Sequence, residues 1–167
     1  PKFRKRYLKH IKKVTGPDST RQLISVRQMA ELVYTTEDIL KRSIIITLAK
    51  SGIRRKELIA IDLEDVDLAN GTIYLKPNPK RSNRIVYIDQ EVIEILETYL
   101  KIRPADSSQK AFFCHNSGRV GRNFVYYTVT NNALRLGIHD PDGLLIEKFT
   151  PHCCRHWFTT HLRRAGM

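Results

Sequence analysis

His152 and Arg155 stand three residues apart in the run Thr150-Pro151-His152-Cys153-Cys154-Arg155. Threonine is a favourable N-cap and proline suits the first helical position, so the pair falls on one face of a helix, in its first turn. There the unpaired N–H groups and the helix dipole favour an anion. An imidazole and a guanidinium aimed together from such a place make a phosphate-handling pair. Arg54 offers a second guanidinium, just past the break Ser51-Gly52 and at the start of a short helix. Glu57, three residues on, can hold that guanidinium by accepting its hydrogen bonds. Arg55 and Lys56 add charge beside it. Taken alone, these cations also read as an exposed basic turn.

The elements that must carry these groups follow from periodicity and punctuation. Ser25 caps a helix over Val26–Val33, and a second, largely buried helix runs from about Thr36 to Lys50 before Ser51-Gly52 ends it. Arg54 to Ile61 is a short helix. Asn70-Gly71 marks a turn, and Thr72–Leu75 and Arg84–Ile88 read as strands. The polar stretch from Lys76 to Asn83 joins them as a hairpin with a basic, proline-stiffened tip. Asp89 caps a helix over Glu91–Lys101, Ala111–Cys114 reads as a short buried strand, and Val125–Leu136 as a helix. A loop leads to the final helix, which Gly166 is placed to end. The class is α+β: mainly helical with a small antiparallel sheet.

Size and charge bound the function. The 19.4 kDa chain is 41% hydrophobic, enough for one cored domain, and no apolar run approaches the ~20 residues of a membrane span. Localisation in the cytoplasm is the expectation. Cys114, Cys153 and Cys154 cannot all pair, which argues against a disulfide framework. The net charge of +12 is uneven: residues 1–21 hold eight basic residues against Asp18 alone, a net +7. A basic arm on a moderately basic globule is the footprint of a nucleic-acid binder, although such an arm also serves as a solvated linker.

Three sequence features, in order, resemble one family. Gly52-Ile53-Arg54-x-x-Glu57-Leu58 resembles the first arginine box of the tyrosine recombinases (phage integrases and Xer-type enzymes), G-L-R-x-S-E-L, with Lys56 where the family has serine. The basic hairpin resembles the one that carries the family's catalytic lysine. Lys80-Arg81-Ser82-Asn83-Arg84-Ile85-Val86 is similar to its K-T/G-x-x-R-x-V/I arrangement, with Lys76 as the alternative lysine. Thr150-Pro151-His152-x-x-Arg155-His156-x-Phe158-x-Thr160-His161-Leu162 resembles the second box, T-P-H-x-L-R-H-x-F-A-T-H-L.

The resemblance covers about residues 22–167 as a catalytic domain, with 1–21 as a basic arm or interdomain linker. It implies site-specific DNA recombination by cleavage and rejoining through a 3′-phosphotyrosine. Arg54, Lys80, His152 and Arg155 would be catalytic, with Glu57 in support, and Arg55, Lys56, Arg81, Arg84 and His156 would contact DNA. It implies double-stranded DNA as partner, a homotetramer of the full-length protein on two DNA sites, and neither metal nor other cofactor. A type IB topoisomerase and a non-catalytic DNA-binding accessory protein of the same fold are the alternatives.

The family places its nucleophilic tyrosine well past the second box, whereas this sequence stops at Met167. The expectation is therefore a C-terminally truncated catalytic domain, inactive and monomeric by itself. Tyr126 and Tyr127 lie upstream of the box and read as packing and phosphate-contact residues. A zinc site among the cysteines and histidines lacks the usual ligand spacing.

Overall fold

The computed structural model describes residues 21–77, 85–104, 109–116 and 118–166. Among them are six α-helices and a small antiparallel sheet. Helix α1, Val26–Tyr34, opens on a capping box: the Ser25 hydroxyl accepts the Gln28 N–H at 3.1 Å, and the Gln28 side-chain Oε1 accepts the Ser25 N–H at 3.0 Å. Its Met29, Leu32 and Val33 face inward.

Helix α2, Ile39–Ser51, is the hub. Leu40, Ile44, Ile45, Ile46, Leu48 and Ala49 are buried around its whole circumference, because α1, α4, α5 and α6 all pack on it. Its polar residues fold back on the helix, as where the Thr47 hydroxyl donates to Ser43 O at 2.7 Å. The helix begins three residues later than Thr36. The Asp38 carboxylate accepts the Lys41 N–H at 3.2 Å and takes the N-cap position, while Thr36 is buried with its hydroxyl donating to Leu32 O at 2.7 Å.

Helix α3 is Arg55–Ala60, followed by a single 3₁₀ turn at Leu63–Asp65. The sheet comprises β1 (Val66–Asp67), β2 (Thr72–Tyr74) and β3 (Ile85–Tyr87), in that order, with Ile73 paired to Val66 on one side and Val86 on the other. Asn70-Gly71 makes the first turn. Gly71 adopts φ 60°, and a Cβ there would lie 2.9 Å from Ile88 O.

Helix α4, Gln90–Ile102, starts where the Asp89 carboxylate accepts the Val92 N–H at 3.1 Å. Its Tyr99 is fully buried against Phe112 and Phe113. That hydroxyl accepts the Cys114 N–H at 2.8 Å and donates to Phe112 O at 3.2 Å, and burial pushes its pKa up to about 12.

The stretch Ala111–Cys114 is not one strand. Ala111 makes an isolated bridge to Asp62, and the strand is β4 (Cys114–His115), paired with β5 (Gly118–Arg119). Helix α5, Arg122–Arg135, starts at its Gly121 cap, three residues before Val125. Helix α6 is Pro151–Arg164, and Gly166 adopts φ 85° just past its end. Thr150 occupies the N-cap position without a side-chain cap bond; its hydroxyl lies 3.6 Å from Cys153 Sγ. The three cysteines are free and buried. No helix among the described residues is long and apolar enough to cross a membrane.

Candidate active site

The site is built where α6 crosses the break between α2 and α3. Gly52 sits there at φ 61°, in the left-handed region, and a Cβ on it would land on the Phe158 ring. The missing side chain lets α6 approach the turn closely. Arg155, one turn earlier on α6, donates from Nη1 to the carbonyl oxygen of Gly52.

Arg54 occupies the N-cap position of α3. It has no capping hydroxyl, and Glu57 does the work from the other side. One Glu57 carboxylate oxygen accepts the Arg54 backbone N–H at 2.7 Å, and the other accepts Nη1 at 3.2 Å. The Glu57 side chain is 6% exposed and that of Arg54 39%, so a buried anion holds a cation that still faces solvent.

These two arginines open onto one cleft of about 550 Å³, lined also by Arg55, Lys56, Tyr126, Pro151 and His152. The His152 imidazole is exposed toward the cleft. Desolvation by the surrounding protein lowers its pKa first, and the charges of Arg21, Arg155, His156 and Arg54 lower it further. The shift favours the neutral ring, the form that can accept a proton. The arrangement can bind an oxyanion through guanidinium groups while an imidazole that favours its neutral form stands beside it.

Five of the expected residues thus meet at one cleft: Arg54, Arg55, Lys56, His152 and Arg155, with Glu57 behind them. His156 does not line it, although its charge is felt at His152. Lys80, Arg81 and Arg84 lie outside the described residues. Lys76 is held elsewhere, 3.0 Å from an Asp62 carboxylate oxygen and 2.8 Å from one of Asp65.

Tyr126 is a lining residue that the sequence placed only loosely. The Arg55 guanidinium lies over its ring, 6.0 Å from the centroid, and Tyr127 stacks edge-on at 5.5 Å while pointing to solvent. The weak amphipathic pattern of α5 hides which of the two tyrosines turns to the cleft. Among the described residues no group of three or more His, Cys, Asp or Glu side chains is placed to hold a metal ion.

The model of the phage integrase family matches residues 18–167. The chain belongs to the phage integrase family. This integrase-family chain is 33% identical over 147 residues to the tyrosine recombinase XerD of Staphylococcus saprophyticus, covering 84% of this chain and 41% of that protein. It is 28% identical over 164 residues to a tyrosine recombinase XerC of Vibrio cholerae, covering 93% and 50%.

Among solved structures, the XerA recombinase superposes with a TM-score of 0.78 at 26% identity, over 92% of this chain and 53% of that one. The XerH recombinase bound to its difH substrate superposes with a TM-score of 0.70 at 22% identity, over 86% and 43%, and shows the fold alone. The integrase-family chain spans about half the length of the relatives it matches.

Proposed function

We propose that residues 22–167 form the catalytic domain of a site-specific tyrosine recombinase acting on double-stranded DNA, with residues 1–21 as a basic arm. The observation that carries this is the convergence of Arg54, Arg155 and His152 on one cleft, in a chain of the phage integrase family.

In this reading a scissile phosphate enters the cleft and a tyrosine hydroxyl attacks phosphorus. Negative charge builds on the nonbridging oxygens as the fifth bond forms. Arg54 and Arg155 each donate hydrogen bonds to those oxygens, a planar geometry that lysine cannot copy. Neutral His152 accepts the proton of the attacking hydroxyl. Lys80 gives a proton to the 5′-oxygen as its bond to phosphorus breaks. The phosphodiester energy is kept in a 3′-phosphotyrosine bond, so the strand is rejoined by the reverse steps without ATP. Arg55, Lys56, Arg81, Arg84 and His156 add contacts to the DNA backbone, and the working unit is a homotetramer on two DNA sites.

A suicide-substrate assay with the full-length protein tests the assignment. Formation of the covalent protein–DNA adduct is expected to fall by about 10²–10³-fold in Arg54→Ala and in Arg155→Ala, the range for removing one preorganised donor from a transition state. Adduct that forms undiminished in both variants would show that the cleft is not the reacting centre.

A further inference from the structure

Lys76 belongs to a four-residue charge network that ties three elements together behind the site. Its ammonium meets Asp62 Oδ2 at 3.0 Å and Asp65 at 2.8 Å. The other Asp62 oxygen accepts from Nη2 of Arg119, on β5. Nη1 of the same guanidinium donates to Ile59 O at 2.5 Å and Ile61 O at 3.2 Å. Those carbonyls belong to the last turn of α3 and the residue just past it, so Arg119 closes the C-terminal end of the helix whose opposite end displays Arg54. Asp65 in turn accepts the Asp62 backbone N–H at 2.8 Å, which fixes the first carboxylate in place.

Two cations and two carboxylates cancel within the cluster, whereas in the cleft Arg54, Arg55, Lys56 and Arg155 outnumber the single Glu57 carboxylate. The carboxylates are half-buried, at 17% and 12% side-chain exposure against 40% for Lys76, so loss of the lysine removes a counter-charge from partly desolvated anions. Their hydrogen bonds also raise the pKa of Lys76.

We infer that Lys76 is a positioning residue: through Asp62, Asp65 and Arg119 it fixes the end of β2 to the C-terminal end of α3 and so holds Arg54 in register, and it is not the acid that protonates the leaving oxygen. The inference rests on the recombinase reading above.

The full-length protein is assayed on two suicide substrates, one ordinary and one with a 5′-bridging phosphorothiolate, whose sulfur leaves without needing a proton. Lys76→Ala is expected to slow adduct formation on the order of tenfold to a hundredfold on both substrates alike, as for a misplaced catalytic group. Lys76→Arg, which can keep both ion pairs, restores most of the rate, and Asp62→Asn repeats the loss. Full rescue of Lys76→Ala by the sulfur substrate, with no rescue by arginine, makes Lys76 the acid and overturns the inference; an unchanged rate in Lys76→Ala overturns it as well. Absence of adduct from the wild type on either substrate overturns the recombinase reading and the role of Lys76 with it.

Discussion

Glu57 sets what Arg54 can do. With one carboxylate oxygen on the backbone N–H and the other on the guanidinium, it fixes both ends of the arginine, so little ordering remains to be done when an anion arrives. Gly52 plays the matching part for Arg155. A Gly52→Ala substitution forces a left-handed alanine and pushes its methyl group into Phe158, together a loss of about 2–4 kcal/mol. Thermal or denaturant unfolding measures it, and a melting point equal to the wild type would contradict the geometry.

For His152 the sign of the pKa shift decides the pH behaviour. Desolvation and the neighbouring cations lower its pKa, so the neutral, proton-accepting form is favoured over that of an ordinary histidine. The rate at limiting DNA is expected to fall only at a pH more acidic than an ordinary histidine would set, and this acid limb disappears in His152→Gln. A limb centred above neutrality in a pH–rate profile would place the protonated form in the resting site instead.

Among the elements, α2 departs furthest from an ordinary surface helix, and the one discordant group on it is Ser43. Its hydroxyl is buried without a hydrogen-bond partner among the described residues. Ser43→Ala removes the unsatisfied group at almost no cost in volume, and a gain of about 1 kcal/mol in unfolding free energy is expected. Loss of stability would reveal a partner for the hydroxyl.

The elements also show what sequence can convey. Helix periods, caps such as Ser25 and Asp89, and the breaks at Gly52 and Gly71 are local signals, and the helices α1, α3, α4 and α6 follow from them closely. The β4–β5 hairpin was missed because its strands hold two residues each and turn on a left-handed Asn116, too short for any alternation to register. The starts of α2 and α5 were misplaced because Thr36 and Gly121 carry ambiguous signals that only neighbouring contacts resolve.

At the scale of the whole molecule, the residue types of the site were legible and their partners were not. Nothing local links Arg155 to the Gly52 carbonyl, or Lys76 to Asp62 across the 3₁₀ turn; both contacts exist only after the elements pack. The charge was readable, and it carries its own prediction. Binding of this chain to duplex DNA is expected to weaken steeply with salt, each neutralised phosphate adding roughly −0.9 to the log–log slope. Arg54→Ala and Arg155→Ala should each reduce that slope by about one. Titration by fluorescence anisotropy across salt concentrations checks it, and a flat dependence would exclude phosphate contacts.

The bond between Arg155 and Gly52 spans 103 residues of sequence. Helix α2, buried through most of its length, also packs against α6, more than a hundred residues later in the sequence. Contacts of such long range form late, after the loop-closure entropy of the intervening chain has been overcome. On the ribosome, at roughly 5–20 residues per second, α2 must therefore wait several seconds for the strand of chain that will cover it. The long-range packing that assembles the cleft thus also sets a period of exposure for α2 during synthesis.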